Sequence, residues 1–172
     1  MKLTVREMAV FAMLGALMFA SRLLMAVLYN VHLLGTFIVA LTVVYRWKAL
    51  YPLYIYVFID GLYSGFATWW VPYLYVWTPL WAAVMLLPRN IPKKWQPVVY
   101  AAVSAAHGFS FGLLYAPGQL LLFGWNFQQI LSWWVVGFFS ADLIHGVSNL
   151  LCGALILPLV TIIRRAEKAG QS

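Results

Sequence analysis

Long apolar runs, broken at charges, prolines and glycines, dominate the pattern of this chain. The breaks leave six apolar spans, at about 7–28, 33–45, 49–66, 71–87, 97–115 and 131–163. A helix that crosses a membrane needs about 20 mostly apolar residues, and the stretch between Lys94 and Asp142 carries no charge at all. The pattern therefore predicts an all-α membrane protein, with residues 1–172 forming a single domain of six transmembrane helices in one bundle.

The charged residues are few and almost all of them lie between the spans. Only 9% of the chain is charged, against about 25% in an ordinary soluble domain. Basic loops stay in the cytoplasm, so their positions predict a multi-pass protein of the cell membrane with both termini cytoplasmic. The net charge of +7 then reflects orientation rather than nucleic-acid binding. The basic residues that agree on this topology are Lys2, Arg6, Arg46, Lys48, Arg89, Lys93, Lys94, Arg164, Arg165 and Lys168.

Two features of the spans qualify this topology. The apolar run resumes after Arg22, so a cleaved signal peptide is not expected at the N-terminus. Pro117 is expected to follow the fifth helix, because proline removes a backbone donor and disfavours a helix interior. Residues 116–129 are then expected to form an extracellular cap of loop and helix ends.

Arg22, Asp60 and Asp142 are the charged side chains that fall well inside spans. Counted from the predicted outer ends of their helices, all three lie in the outer half of the membrane. Such residues are costly in hydrocarbon and are candidates for function. They could border a binding site, or Arg22 could form a structural ion pair with Asp60 or Asp142.

The last span carries Asp142, His145 and Asn149 at spacings of three and four, which places them on one helical face. Three polar groups on an apolar helix must face protein or water rather than lipid. His145 could bind a ligand, accept a proton or form a hydrogen bond with Asp142, and the hydrogen bond is favoured. His107 is expected to be an interior histidine with a satisfied hydrogen bond.

Aromatic residues are concentrated in the connections on the side away from the basic loops. Tryptophan and tyrosine favour both membrane interfaces, so the one-sided excess favours rings that stack on a solute over a lipid girdle alone. Neutral amides in the same connections suit an amide-rich or heterocyclic ligand. The candidate substrate-binding residues are Arg22, Asn30, Asp60, Tyr63, Trp69, Trp70, Tyr73, Trp77, Asn126, Gln128, Trp133, Asp142, His145 and Asn149.

Ala12, Ala16 and Ala20 place a small residue at every fourth position of the first span. Such a stripe lets another helix approach closely, either within the chain or from a partner subunit. No catalytic residues are predicted, and no metal site or nucleotide-binding loop is expected, because the chain has no zinc-protease motif, no serine-hydrolase motif and no Walker loop.

Two segments, NVHLLGTFIVALTVVYRWKALYPLYIYVFIDGLYSGFATWWVPYLYVWTPLW at 30–81 and FSADLIHGVSNLL at 139–151, resemble the substrate-binding S component of an energy-coupling factor (ECF) vitamin transporter, in its cobalamin-type branch. The resemblance implies a six-helix substrate-binding domain that captures a vitamin from outside. It also implies that Ala12, Ala16 and Ala20 dock on a transmembrane T subunit, and that two partner ATPase subunits use ATP. The chain itself would hold no cofactor and would not be an enzyme.

The resemblance favours cobalamin as the substrate, while pantothenate, a pyrimidine and a queuosine precursor stay open. Three other functions also stay open. A self-sufficient proton-coupled carrier would use Asp60, Asp142 and His145 as a relay. An intramembrane enzyme would have only Asp142 and His145 as acid and base, and a purely structural subunit would not need the aromatic excess.

Overall fold

The structure, a computed structural model, describes residues 3–169, so Lys2 lies outside the described residues. All regular structure in this range is helical, which confirms the all-α prediction. The α-helices are α1 Val5–Leu24, α2 Leu34–Tyr45, α3 Leu50–Ser64, α4 Thr78–Leu86, α5 Gln96–Phe109, α6 Phe111–Phe123, α7 Phe127–Gly137, α8 Leu143–Cys152 and α9 Ile156–Ala169. Between them lie the 3-10 segments Arg46–Ala49, Thr68–Leu74 and Gly153–Leu155 and the π-helical turn Phe138–Asp142.

Residues 3–169 contain five continuous helical stretches that include α-helix, at 5–24, 34–64, 78–86, 96–123 and 127–169, instead of the predicted six; the 3-10 segment Thr68–Leu74 lies apart from them. The number is wrong because the basic connection between the second and third spans is itself helical. Arg46, with a φ of 56°, interrupts the α-helix there and begins the 3-10 segment Arg46–Ala49, which leads directly into α3. Of the predicted fourth span, residues 71–74 belong to the 3-10 segment Thr68–Leu74 and residues 78–86 form the short α4.

Pro117 lies inside α6 rather than after it, so the expected end of the fifth helix is wrong. The helix continues because this part of it packs against the 3-10 segment Thr68–Leu74 and the residue that follows. The backbone N–H of Gly118 donates to the Tyr75 hydroxyl at 2.9 Å, and a Cβ at Gly118 would lie 2.6 Å from the Pro72 side chain. The predicted cap of loop and helix ends at 116–129 is accordingly mostly helix.

Three helical stretches, Val5–Leu24, Gln96–Phe123 and Phe127–Ala169, are long and apolar enough to span a membrane. Their outer surface is strongly apolar, with Leu24 exposed by 81% and Leu121 by 82%. A soluble protein rarely exposes so much apolar surface, so the fold is that of a membrane-protein-like helical bundle.

Helix α2 forms the centre of the bundle, since every residue from 34 to 42 is buried. It packs against α4 and α9, while α1 packs on α3 and α5 packs on α8. Glycines permit the closest of these approaches. A Cβ at Gly108 of α5 would lie 2.8 Å from the Cα of Gly146 in α8, closer than real Cβ contacts come.

Both ends of the described chain lie at one end of the bundle. Arg6 forms an ion pair with Glu167 at 3.5 Å, and Lys48 pairs with Glu7. These contacts bring the start of α1, the connection between α2 and α3 and the end of α9 together at what we call the basic end. Helix α1 is 20 residues long, about 30 Å, so Arg22 in its last turn lies at the opposite end.

Candidate functional site

A cavity of about 370 Å³ lies at the end of the bundle opposite the basic end. The 3-10 segment Thr68–Leu74, the first turns of α6 and the continuous helix from α7 to α8 surround it. Its walls are mostly aromatic, and we call it the aromatic cavity. The lining residues are Asn30, Trp69, Tyr73, Phe111, Gly112, Tyr115, Trp133, Trp134, Gly137, Ala141, Asp142 and His145.

The aromatic walls are held in place by ring contacts and by hydrogen bonds to the backbone. Trp69 and Tyr73 meet edge to face, with ring centroids 5.3 Å apart, and Tyr73 makes a similar contact with the buried Trp77 at 5.6 Å. The Tyr115 hydroxyl donates to the carbonyl of Trp69, which ties α6 to the 3-10 segment. Rings fixed in this way form a surface that can stack on a planar solute without first losing conformational freedom.

Asp142 supplies a carboxylate to the wall of the aromatic cavity. It is the last residue of the π-helical turn Phe138–Asp142, a distortion often found at functional sites. The backbone N–H of Gly112 donates to Asp142 Oδ2 at 2.9 Å. A Cβ at Gly112 would lie 2.6 Å from the same oxygen, so the close approach of α6 requires glycine at this position.

His145 lies deeper in the bundle, among other rings. Its ring centroid is 4.6 Å from that of His32 and 4.9 Å from that of Phe111. Its Nε2 atom, like the Nε1 of Trp134, is buried and has no hydrogen-bond partner within residues 3–169. Buried polar atoms are nearly always paired, so these two cavity residues have hydrogen-bonding capacity available for a ligand. The predicted bond between His145 and Asp142 is not found in the described range.

His32, in the connection between α1 and α2, is half-buried beside His145. Burial lowers the pKa of His32 to about 4, and the nearby His107 and Arg22 also lower it. His32 is therefore neutral near pH 7. His107 fulfils its prediction as an interior histidine, because its Nε2 lies 2.8 Å from the Val76 carbonyl oxygen.

The structure brings together part of the candidate set predicted from the sequence. The members that line the aromatic cavity are Asn30, Trp69, Tyr73, Trp133, Asp142 and His145. Arg22 and Asp60 instead form an ion pair of 2.8 Å, which confirms the structural alternative and selects Asp60 over Asp142 as the partner of Arg22.

Other candidates serve the packing around the cavity. Trp70 Nε1 donates to the Val57 carbonyl at 2.8 Å, and Asn149 donates to the Ser104 carbonyl at 3.1 Å. Trp77 is 1% exposed and lies within the core. Tyr63 is 66% exposed and meets the ring of Phe19 instead of the cavity.

Two amide candidates lie around the start of α7, outside the aromatic cavity. Asn126 caps the start of α7: its side-chain oxygen accepts from the Gln129 backbone N–H, and its own backbone N–H donates to the Gln129 side-chain oxygen. Gln128 lies beside it in a separate surface depression that also contains Trp125 and Ser132. The neutral amides of this connection therefore do not reach the aromatic cavity.

Several cavity residues were missing from the sequence-based set because they lie inside predicted spans, where apolar and aromatic residues are expected to pack within the bundle. Phe111 and Tyr115 are four residues apart, a spacing that places both rings on one helical face. That spacing could have indicated a second aromatic wall. The full set that was missed is Phe111, Gly112, Tyr115, Trp134, Gly137 and Ala141.

Ala12, Ala16 and Ala20 are all exposed along α1, whereas Gly15 beside them is buried against Ile55. Helix α1 thus uses Gly15 for contact within the chain and leaves the alanine stripe uncovered.

Within residues 3–169, no three His, Cys, Asp or Glu side chains are grouped so that they could hold a metal ion. No family model, curated protein or solved structure matches this chain.

Proposed function

We propose that this protein is the substrate-binding S component of an ECF-type importer in the cell membrane. The observation that carries the proposal is the aromatic cavity. It combines fixed rings from Trp69, Tyr73 and Trp133 with a carboxylate at Asp142 and an unpartnered imidazole nitrogen at His145. Binding sites for small molecules are typically apolar hollows with a few such polar groups.

The size and chemistry of the cavity favour a small planar substrate. A volume of about 370 Å³ lies near the lower end of the range for small-molecule sites, roughly 300–1,000 Å³. Cobalamin, with its corrin ring and nucleotide loop, needs much more room, so pantothenate, a pyrimidine or another small heterocycle fits the cavity better. Rings that stack and polar atoms that accept or donate favour a heterocycle among these.

The orientation proposed for the chain follows from its charges. Basic residues collect at the basic end, and such segments stay in the cytoplasm. Both termini then face the cytoplasm in a multi-pass arrangement, and the aromatic cavity faces the exterior, where a substrate would be captured. The exposed stripe of Ala12, Ala16 and Ala20 would contact a T subunit, and two partner ATPase subunits would use ATP to drive release inside.

A self-sufficient proton-coupled carrier is the main alternative. Its relay would need Asp60 together with Asp142 and His145, but Asp60 is paired with Arg22 at 2.8 Å and does not line the aromatic cavity. The geometry therefore supports a binding subunit better than a carrier.

Calorimetry of the purified protein in detergent, against a panel of B vitamins, nucleobases and cobalamin, tests the proposal. We expect saturable binding of a small heterocycle at a single site. Reconstitution into liposomes then separates the alternatives, because a binding subunit cannot transport without its partners. Uptake driven by a proton gradient in liposomes that contain only this chain would reject the proposal in favour of the carrier.

A further inference from the structure

A second and larger cavity, of about 560 Å³, lies at the basic end. The end of α2, the end of α4, the connection that follows it and the helices α5 and α9 surround it. We call it the basic cavity, because Arg46, Arg89, Lys93 and Arg164 line it together with Gln96 and Tyr100. No acidic side chain is among its lining residues.

Within residues 3–169, no acidic side chain balances the positive charge of the basic cavity. The sequence has four Asp and Glu residues in total, and each of them has its contacts elsewhere. The partners are Lys48 for Glu7, Arg22 for Asp60, the Gly112 backbone for Asp142, and Arg6 and Tyr45 for Glu167. Four basic groups converging on one cavity without a counter-ion repel one another, so the site favours an anion from outside the chain.

Arg46 is built into this cavity by the backbone. It is one of two non-glycine residues with positive φ in the described range, a costly conformation for a residue with a side chain. Its Nη2 donates to the Met85 carbonyl at 2.9 Å, which fixes the guanidinium between α2 and α4. Its Nε is buried and has no partner within residues 3–169, so one N–H of a positioned guanidinium is free for an acceptor.

Apart from Thr161, the rest of the lining is apolar. Val84 and Val160 are buried at its floor, and Leu157 lies beside them. A cavity with an apolar floor and a basic rim matches an amphipathic anion, whose charged group meets the rim while its uncharged part covers the floor. Basic pockets between membrane helices on the cytoplasmic side are known to bind lipid head groups.

We infer that the basic cavity binds the phosphate group of an anionic phospholipid such as phosphatidylglycerol. The phosphate lies between Arg46, Arg89 and Arg164, and the first part of the acyl chains covers the apolar floor. Arginine suits this role because its planar donors meet phosphate oxygens in pairs. With the basic end in the cytoplasm, as proposed above, the lipid comes from the inner leaflet.

Thermal unfolding of the full chain in a neutral detergent tests this inference with three probes: short-chain phosphatidylglycerol, short-chain phosphatidylcholine and inorganic phosphate. We expect phosphatidylglycerol to raise the unfolding temperature more than phosphatidylcholine does. If inorganic phosphate also raises it, the phosphate group alone suffices; if it does not, the lipid is the source. No preference for phosphatidylglycerol over phosphatidylcholine would overturn the inference, whatever the effect of inorganic phosphate.

Two triple variants separate a site from general charge. R89Q/K93Q/R164Q removes three basic groups from the cavity, and K94Q/R165Q/K168Q removes three from the same end outside it. A basic group near an anionic head group strengthens binding by about fivefold, so the first variant should weaken binding of phosphatidylglycerol by about 100-fold. The second should change it by less than tenfold. Equal losses in both variants would overturn the inference.

Discussion

Arg22 Nη1 lies 2.8 Å from Asp60 Oδ1, and the Asp60 side chain is fully buried while that of Arg22 is one-third exposed. The pair joins the end of α1 to the end of α3. Tyr56 adds a long hydrogen bond of 3.4 Å to the other carboxylate oxygen. A buried carboxylate with a single cationic partner depends on that partner, because desolvation of an unpaired charge is expensive.

Loss of one member of this pair should therefore destabilise the protein. We expect Arg22→Gln to lower the free energy of unfolding by about 3 kcal/mol, because the substitution leaves Asp60 buried and unpaired. The double variant with Asp60→Asn should recover at least half of that loss. Chemical unfolding in detergent measures both values, and a double variant less stable than the single one would contradict a simple ion pair.

The contact between α5 and α8 predicts that replacing glycine by alanine has different effects on stability at two positions. Gly108→Ala should destabilise the protein by about 1–3 kcal/mol, since the new Cβ would meet the Gly146 backbone at 2.8 Å. Gly137→Ala is the matched control, because nothing lies within 4 Å of its Cβ position. A more favourable helix propensity should make the control neutral or more stable by up to about 1 kcal/mol. Equal unfolding temperatures for the two variants would show that the helices do not pack this closely.

The aromatic walls predict which tryptophans matter for binding. Trp69→Ala and Trp133→Ala should each weaken binding of the calorimetrically identified solute by about tenfold or more, because a stacked ring contributes roughly 1–3 kcal/mol. Trp95→Ala is the control, since Trp95 is 53% exposed and lies near the basic end, outside the aromatic cavity. Calorimetry with the same solute compares all three variants. An equal loss of affinity in the Trp95 variant would show that the solute does not bind in the aromatic cavity.

The sequence predicted the broad design better than the details of the site. Charge and hydropathy indicated a helical membrane protein, and the side-by-side spacing of Asp142, His145 and Asn149 correctly predicted one buried face. The aromatic cavity was only half predicted, because the missed residues lie inside predicted spans and resemble ordinary packing residues of a bundle. A separate error was to treat Pro117 as the end of a helix. Its lost backbone bond is offset by packing of α6 against Pro72 and Tyr75, a tertiary effect that local propensity does not contain.

The partner of Arg22 illustrates another limit of the sequence. Asp60 and Asp142 lie at similar predicted depths, so their positions along the chain allowed either one to pair with Arg22. The contact of α1 with α3 decides between them. Likewise, the basic connection at Arg46 resembled a loop, because its polar side chains carry no information about a backbone that remains helical on both sides.

The exposed alanine stripe predicts an effect on assembly alone. If the proposed T subunit docks on this stripe, Ala16→Leu should reduce its capture in a pull-down by at least tenfold, because a larger side chain keeps the partner helix from approaching. The affinity of this variant for the solute should stay within twofold of that of the unsubstituted protein. Ala102→Leu changes another exposed alanine, on α5, and should affect neither property. Weakened solute binding by the Ala16 variant would contradict the separation of the two surfaces.

His32 predicts a dependence of stability on pH. Its pKa in the folded protein is about 4, below its ordinary value of 6.5, so the unfolded chain binds the proton more readily. The free energy of unfolding should therefore fall as the pH is lowered from 6.5 towards 4. Below pH 4, His32 is protonated in both states and should cause no further loss. His32→Gln should show a shallower decline in unfolding temperature over the same range, with His107 and His145 still present. Parallel curves for the two proteins would contradict a neutral His32.

An experimental structure of the protein with its calorimetrically identified solute tests the central claim most directly. The account predicts solute density in the aromatic cavity, between the rings of Trp69, Tyr73 and Trp133 and within hydrogen-bonding distance of Asp142 or His145. Density for the solute at any other place, with the aromatic cavity filled by its own side chains, would contradict it.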